Sequence, residues 1–160
     1  MKSGSRLAAI TFYGSLTTTA ALLLLAKRRT GHAAPGVNCT AHWLDGDDAA
    51  RIGHFDLRHS GVGIATNCAA ILFWGVFYQI AAGKPDTGER SRAVSADAWR
   101  RHRRFLLATL ALGPVAALID YRATPRRFTP GWELVFSRRE MTIVYAAMVA
   151  GMALGALRRR

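Results

Sequence analysis

Acids, cysteines and strand-like alternation are scarce in this chain. Ten aspartates and glutamates stand against 22 lysines and arginines in 160 residues, a formal net charge of +12. Two cysteines, Cys39 and Cys68, without a spacing signal, argue against a disulfide framework. Cys68 lies inside an apolar block, where a thiol behaves as a small hydrophobe. No ten-residue stretch alternates apolar and polar side chains, which speaks against a transmembrane β-barrel. The GxSxG elbow, the Walker loop and the GxGxxG fingerprint are all missing. No histidine lies within an apolar block, and His59 only borders one, so the axial ligands of a bundle haem are lacking.

What the chain does have is apolar runs separated by arginine. Such a charge excess would ordinarily suggest nucleic acid. Here 51% of the residues are hydrophobic, and they are gathered into blocks with the basic residues between them. Headgroup anchoring and the positive-inside rule produce that pattern, so lipid is the expected partner and nucleic acid is not.

Four blocks read as spans, at 7–26, 61–82, 105–119 and 141–157. The first covers about 30 Å as a helix, the thickness of a hydrocarbon core. Lys27, Arg28 and Arg29 follow it directly, which favours an uncleaved anchor over a signal peptide cut near Ala33 and Ala34. The second block, GVGIATNCAAILFWGVFYQIAA, has no charge. The third is short, is extended by snorkelling Arg103 and Arg104, and should kink at Pro114. Lipid leaves helices as the remaining option. The expected fold is all-α, a single-domain (1–160) integral membrane four-helix bundle with a polar loop between the first two spans.

Orientation rests on a small bias. Twelve Lys/Arg lie in the N-terminus, the 83–104 connection and the C-terminus, against ten in the 27–60 and 120–140 loops. Both termini are therefore expected on the cytoplasmic side. Ser95 is suited to cap the helix entering the third span. Beside that span, Arg100, Arg101, Arg103 and Arg104 around Trp99 are expected to bind anionic lipid headgroups. Phe128 and Trp132 read as interfacial anchors. Ala147, Gly151 and Gly155 form a small-residue stripe on the last span. It suits packing within the chain, with a homo-oligomer or membrane partner through Gly151 and Gly155 as the alternative.

Polar chemistry concentrates in HWLDGDDAARIGHFDLRHSG, residues 42–61, which holds three of the five histidines. Candidate catalytic residues are His42, His54, Asp56 and His59, acting jointly with Arg126, Arg127 and Glu133 of the second loop on the same face. Imidazole and carboxylate are zinc ligand types, which makes His54, His59 and Asp56 the candidate ligands of a divalent metal. The five-residue step from His54 to His59 nonetheless fits neither HExxH nor a helical ligand pair, and no cofactor is the leading expectation. Asn67, roughly 9 Å along the helix from Gly61, is a membrane-buried amide. It calls for an interhelical hydrogen bond or, with Trp74, a polar cavity lining.

HWLDGDDAAR, the segment 58–79 and DYRATPRRFTPGWELVFSRREMTIVYAAMVAGMALG resemble a set of small four-span bacterial inner-membrane proteins without an assigned activity. The TPG-x-E motif is the most specific part of that likeness. It implies an inner-membrane location and no particular reaction. In that set the second span tends to carry histidine where this chain has Asn67, which weakens any metal or proton role at that position. The leading functional reading is a structural, assembly or envelope-homeostasis component. The alternatives are a membrane-embedded enzyme acting on lipid headgroups through the His/Asp/Arg residues, and a small transporter or channel.

Overall fold

The computed structural model describes residues 3–83 and 96–158. Ser95, Lys2, Arg159 and Arg160 lie outside the described residues. The described regular structure is entirely helical: α1 (Ser3–Thr30), α2 (Pro35–Asn38), α3 (His42–Asp45), α4 (Val62–Ala82), α5 (Ala96–Leu118) and α6 (Arg138–Leu157), joined by short 3-10 and π turns. Four stretches are long and apolar enough to cross a membrane: Gly4–Thr30, Leu57–Ala82, Ala98–Ala123 and Arg138–Leu157. The all-α four-helix bundle expected from the sequence is the observed architecture.

The third helix differs most from its expected bounds. It begins at Ala96 because the arginine-rich stretch ahead of Phe105 is itself a good helix former. It stays helical through Pro114 to Leu118 and then widens into a π turn, Ile119–Ala123. The last helix starts at a capping box. The Ser137 side chain accepts from the Glu140 backbone N–H, and the Glu140 carboxylate accepts from that of Ser137 at 2.8 Å.

The long helices run antiparallel to their neighbours in the order α1, α4, α5, α6 and back to α1. Small residues set the closest approach. A Cβ at Gly151 would sit 2.1 Å from Thr17 Oγ1, and one at Gly155 would sit 2.4 Å from the Ala9 carbonyl oxygen. One turn before Gly151 the Thr17 hydroxyl donates to the Ala147 carbonyl at 2.7 Å. The Ala147–Gly151–Gly155 stripe thus faces α1 of the same chain. At its polar end this pair is closed by Arg29 and Glu140, 2.9 Å apart. Tyr78 joins α4 to α5 through the Thr109 hydroxyl at 2.7 Å, and Tyr145 of α6 donates to Asp120 at 2.7 Å.

On α4 the buried positions are Gly63, Asn67, Ile71, Trp74, Gly75, Tyr78 and Ala82. Ala70, which shares a helical stripe with several of these on paper, is exposed. The C-terminal carbonyls of α4 are capped by arginines from both flanking helices: Arg6 donates to Gly83, and Arg104 to Ile80 and Ala81, both at 2.7 Å.

The connection between the first two spans is only partly a surface loop. Residues 34–42, APGVNCTAH, are all buried and fold back as a helical wedge between α1 and α4. A Cβ at Gly36 would meet the Leu22 carbonyl at 2.3 Å, and one at Gly63 would meet the Val37 carbonyl at 2.0 Å. Leu22 lies inside the first apolar block, so the wedge descends to the level of the span. Irregular backbone is tolerated at that depth when protein covers it, as here. Apart from Asn38, Thr40 and His42, the segment is small or apolar, which lets it pack at that depth.

Candidate functional site on the loop face

Asn38 is the centre of the wedge and has no exposed surface. Its side-chain N–H groups donate to the Ile52 and His54 carbonyls at 2.9 and 3.1 Å, and its Oδ1 accepts from the Ser60 hydroxyl at 2.6 Å. One amide therefore ties the wedge to both ends of the 52–60 segment. Two residues on, Thr40 accepts from the Asn67 side chain at 3.2 Å. The buried amide of the second span thus has a hydrogen-bond partner, but on the wedge rather than on another long helix. Trp74 is packed in the core.

The candidate residues fall into two groups on this face. His54, Asp56 and His59 form the first, together with Asp45 and Arg58. Asp56 caps the π turn Leu57–Gly61 by accepting from the His59 backbone N–H at 2.6 Å, while its other oxygen meets His59 Nδ1 at 2.8 Å. These contacts hold its carboxyl below the usual range, the backbone hydrogen bond foremost. His54 approaches the same oxygen more loosely, at 3.6 Å. Beyond His59, the Nε2 stands 3.7 Å from Asp45 Oδ2. Asp45 also accepts from Arg58 at 2.5 and 3.0 Å, and that hydrogen-bonded guanidinium draws its carboxyl down as well. His59 is thereby flanked by two carboxylates. Among the described residues no group of three or more His, Cys, Asp or Glu side chains is arranged to hold a metal ion.

His42, Arg126 and Arg127 form the second group. His42 is buried, with Nδ1 3.1 Å from the Cys39 carbonyl and Nε2 3.2 Å from that of Arg126. Arg127 donates to the Trp43 carbonyl at 3.1 Å, and Arg126 lies 3.4 Å from Asp47. An open cleft of about 400 Å3 is lined here by His42, Trp43, Asp47, Arg126 and Arg127. Glu133 is exposed and accepts from the Thr129 hydroxyl at 2.6 Å.

The second loop reaches the wedge through the glycine of TPG-x-E. Gly131 has φ +74°, and a Cβ there would stand 2.3 Å from the Cys39 carbonyl, so both conformation and space require glycine. Trp132 then turns inward. It is 4% exposed and packs edge-on against Tyr145 at 5.1 Å, which corrects its reading as an interfacial anchor; Phe128 is exposed. Cys39 is fully buried beneath this crossing, and burial pushes its thiol up to about 12.

The expected joining of the two loops is present, carried by His42 and Gly131. His54 and His59 belong instead to a neighbouring ionic cluster, and no hydrogen bond or ion pair links the two groups among the described residues. Asn38, Thr40 and Ser60 are organising residues that carry no motif signal, whereas Gly131 stands in the TPG-x-E motif. Comparison with family models, curated proteins and solved structures finds no match to this chain.

Proposed function

We propose that this chain is a structural or assembly component of a bacterial inner membrane, with both termini cytoplasmic and the wedge and its loops forming a rigid cap on the opposite side. The observation that supports this reading is the engagement of His42. Both ring nitrogens of the best-buried candidate base face backbone carbonyls from two different loops. A general base needs a nitrogen within reach of a substrate proton, and both nitrogens of His42 are turned toward carbonyls of the protein itself at hydrogen-bond distance. His59 is hydrogen-bonded at Nδ1 to Asp56, and its Nε2 faces Asp45 at 3.7 Å.

A second reading keeps one specific observation in its favour. The cleft beside His42 offers two guanidiniums, an indole and a carboxylate at a membrane-facing loop, a suitable surround for a phosphate-bearing headgroup. The two readings separate in proteoliposomes containing headgroup-labelled phospholipid. A structural component releases no label, and His42→Ala lowers its thermal stability. Label release that Arg127→Ala abolishes without altering the melting temperature would overturn the structural reading.

A further inference from the structure

At the opposite end of the bundle, a groove of about 480 Å3 opens between α4 and α5. Its α5 wall consists of Arg100, Arg103, Arg104, Leu107, Ala108 and Ala111, with Ala81 of α4 facing them. The six positions follow the i, i+3, i+4 rhythm of one helix stripe. Over about 16 Å of helix axis, that stripe changes from three guanidiniums to small and branched apolar side chains. The amphipathic gradient therefore runs along the helix rather than around it. An anionic phospholipid has the same polarity, with a phosphate at one end and hydrocarbon at the other.

We propose that this groove binds one anionic phospholipid, its phosphate among Arg100, Arg103 and Arg104 and one acyl chain along Leu107, Ala108 and Ala111. Arg104 is already positioned for the task. Two of its N–H groups hold the Ile80 and Ala81 carbonyls, and three of the five on a guanidinium are left for a ligand. Those same bonds, with that of Arg6 to Gly83, offset the negative end of the α4 dipole, which would otherwise repel a phosphate. The arginine–carboxylate ion pairs among the described residues are those of Arg29, Arg51, Arg58 and Arg126, none of them in this groove. Trp99, exposed and stacked on His102 at 6.5 Å, suits headgroup depth. The apolar half of the groove lies within the stretch Ala98–Ala123 that is apolar enough to cross a membrane, and neither a nucleic acid nor free phosphate has use for it. This site is independent of the structural role proposed for the loop face.

The test is native mass spectrometry of the full chain in mild detergent, titrated with phosphatidylglycerol and with phosphatidylcholine of the same acyl chains. The expected result is one retained phosphatidylglycerol in preference to phosphatidylcholine. Arg100→Gln with Arg103→Gln should weaken it about thirtyfold, at the usual contribution of a basic side chain near an anionic surface. Ala108→Phe fills the groove while keeping every charge, and it should also abolish retention; Ala111→Leu carries the same test if the larger residue prevents folding. Wild-type retention in a folded groove-filled variant would show diffuse surface charge rather than a site. Displacement of the lipid by millimolar inorganic phosphate alone would show that the acyl chain contributes nothing. Either result overturns the proposal.

Discussion

The Nε2 of His42 stands 3.2 Å from the carbonyl oxygen of Arg126, 84 positions away in the chain. With the Cys39 carbonyl on its other nitrogen, this side chain fastens the wedge to the second loop. His42→Ala removes this side-chain tie from a buried site, while each carbonyl keeps another donor, Thr129 on Arg126 and the His42 backbone N–H on Cys39, so the loss should be about 0.5–1.5 kcal/mol, the net worth of an ordinary hydrogen bond. Thermal unfolding in detergent measures this. An unchanged melting temperature would mean that the two loops are held without it.

The α1–α6 seam yields a sharper packing prediction. At Gly151 even a methyl group would collide with the Thr17 hydroxyl and the Tyr13 carbonyl, the latter at 2.4 Å. Backbone cannot yield as a flexible side-chain end can, so Gly151→Ala should destabilise by about 1–3 kcal/mol, as overpacked cores generally do. Gly4→Ala, where nothing lies within 4 Å, is the control and should be neutral or slightly stabilising. Equal melting temperatures for the two variants would place the seam elsewhere.

The four apolar helices were legible because bilayer thickness imposes a length that composition reveals directly. The small-residue stripe of α6 was legible for a related reason, since close backbone approach restricts residue choice. The wedge was not. A descent into the bundle and a surface loop differ in what surrounds them, and APGVNCTAH is too short to show periodicity. Trp132 was misplaced because indole suits both an interface and a core; the sharp turn at Gly131 decides between them. Among the candidates, His54, Asp56 and His59 do lie together, but the Asp45–Arg58 pair that completes their cluster depends on where α3 lands. That placement follows from the wedge.

The ionic cluster makes the cap acid-sensitive in a definite direction. Asp45 and Asp56 both have lowered folded-state values. Their stabilisation is therefore complete above the unfolded carboxylate value of about 3.9, and it is lost as pH falls through the lower folded values. Melting temperature followed from pH 7 down to pH 3 should fall more steeply for the wild type than for Asp45→Asn, which has already given up its charge. Parallel curves would assign the acid response to other carboxylates.

The burial of Cys39 decides which thiol can report the topology. A buried thiol pushed up to about 12 is almost wholly protonated near neutrality, and the thiolate is the reactive form. An impermeant maleimide should therefore leave Cys39 unmodified from either side of an intact, folded membrane preparation, and protection there says nothing about orientation. Asp48 is exposed on the same loop, and its ion pair with Arg51 is at the surface, with both side chains 86% exposed; such pairs contribute little to stability. Asp48→Cys should thus fold normally and present a reactive thiol on the loop face. If both termini are cytoplasmic, this thiol is labelled in right-side-out vesicles without permeabilisation, while Cys39 reacts only after denaturation. Labelling of Asp48→Cys only in inverted vesicles would reverse the orientation and leave the fold unchanged. Rapid labelling of Cys39 in the native protein would show that the wedge does not close over it.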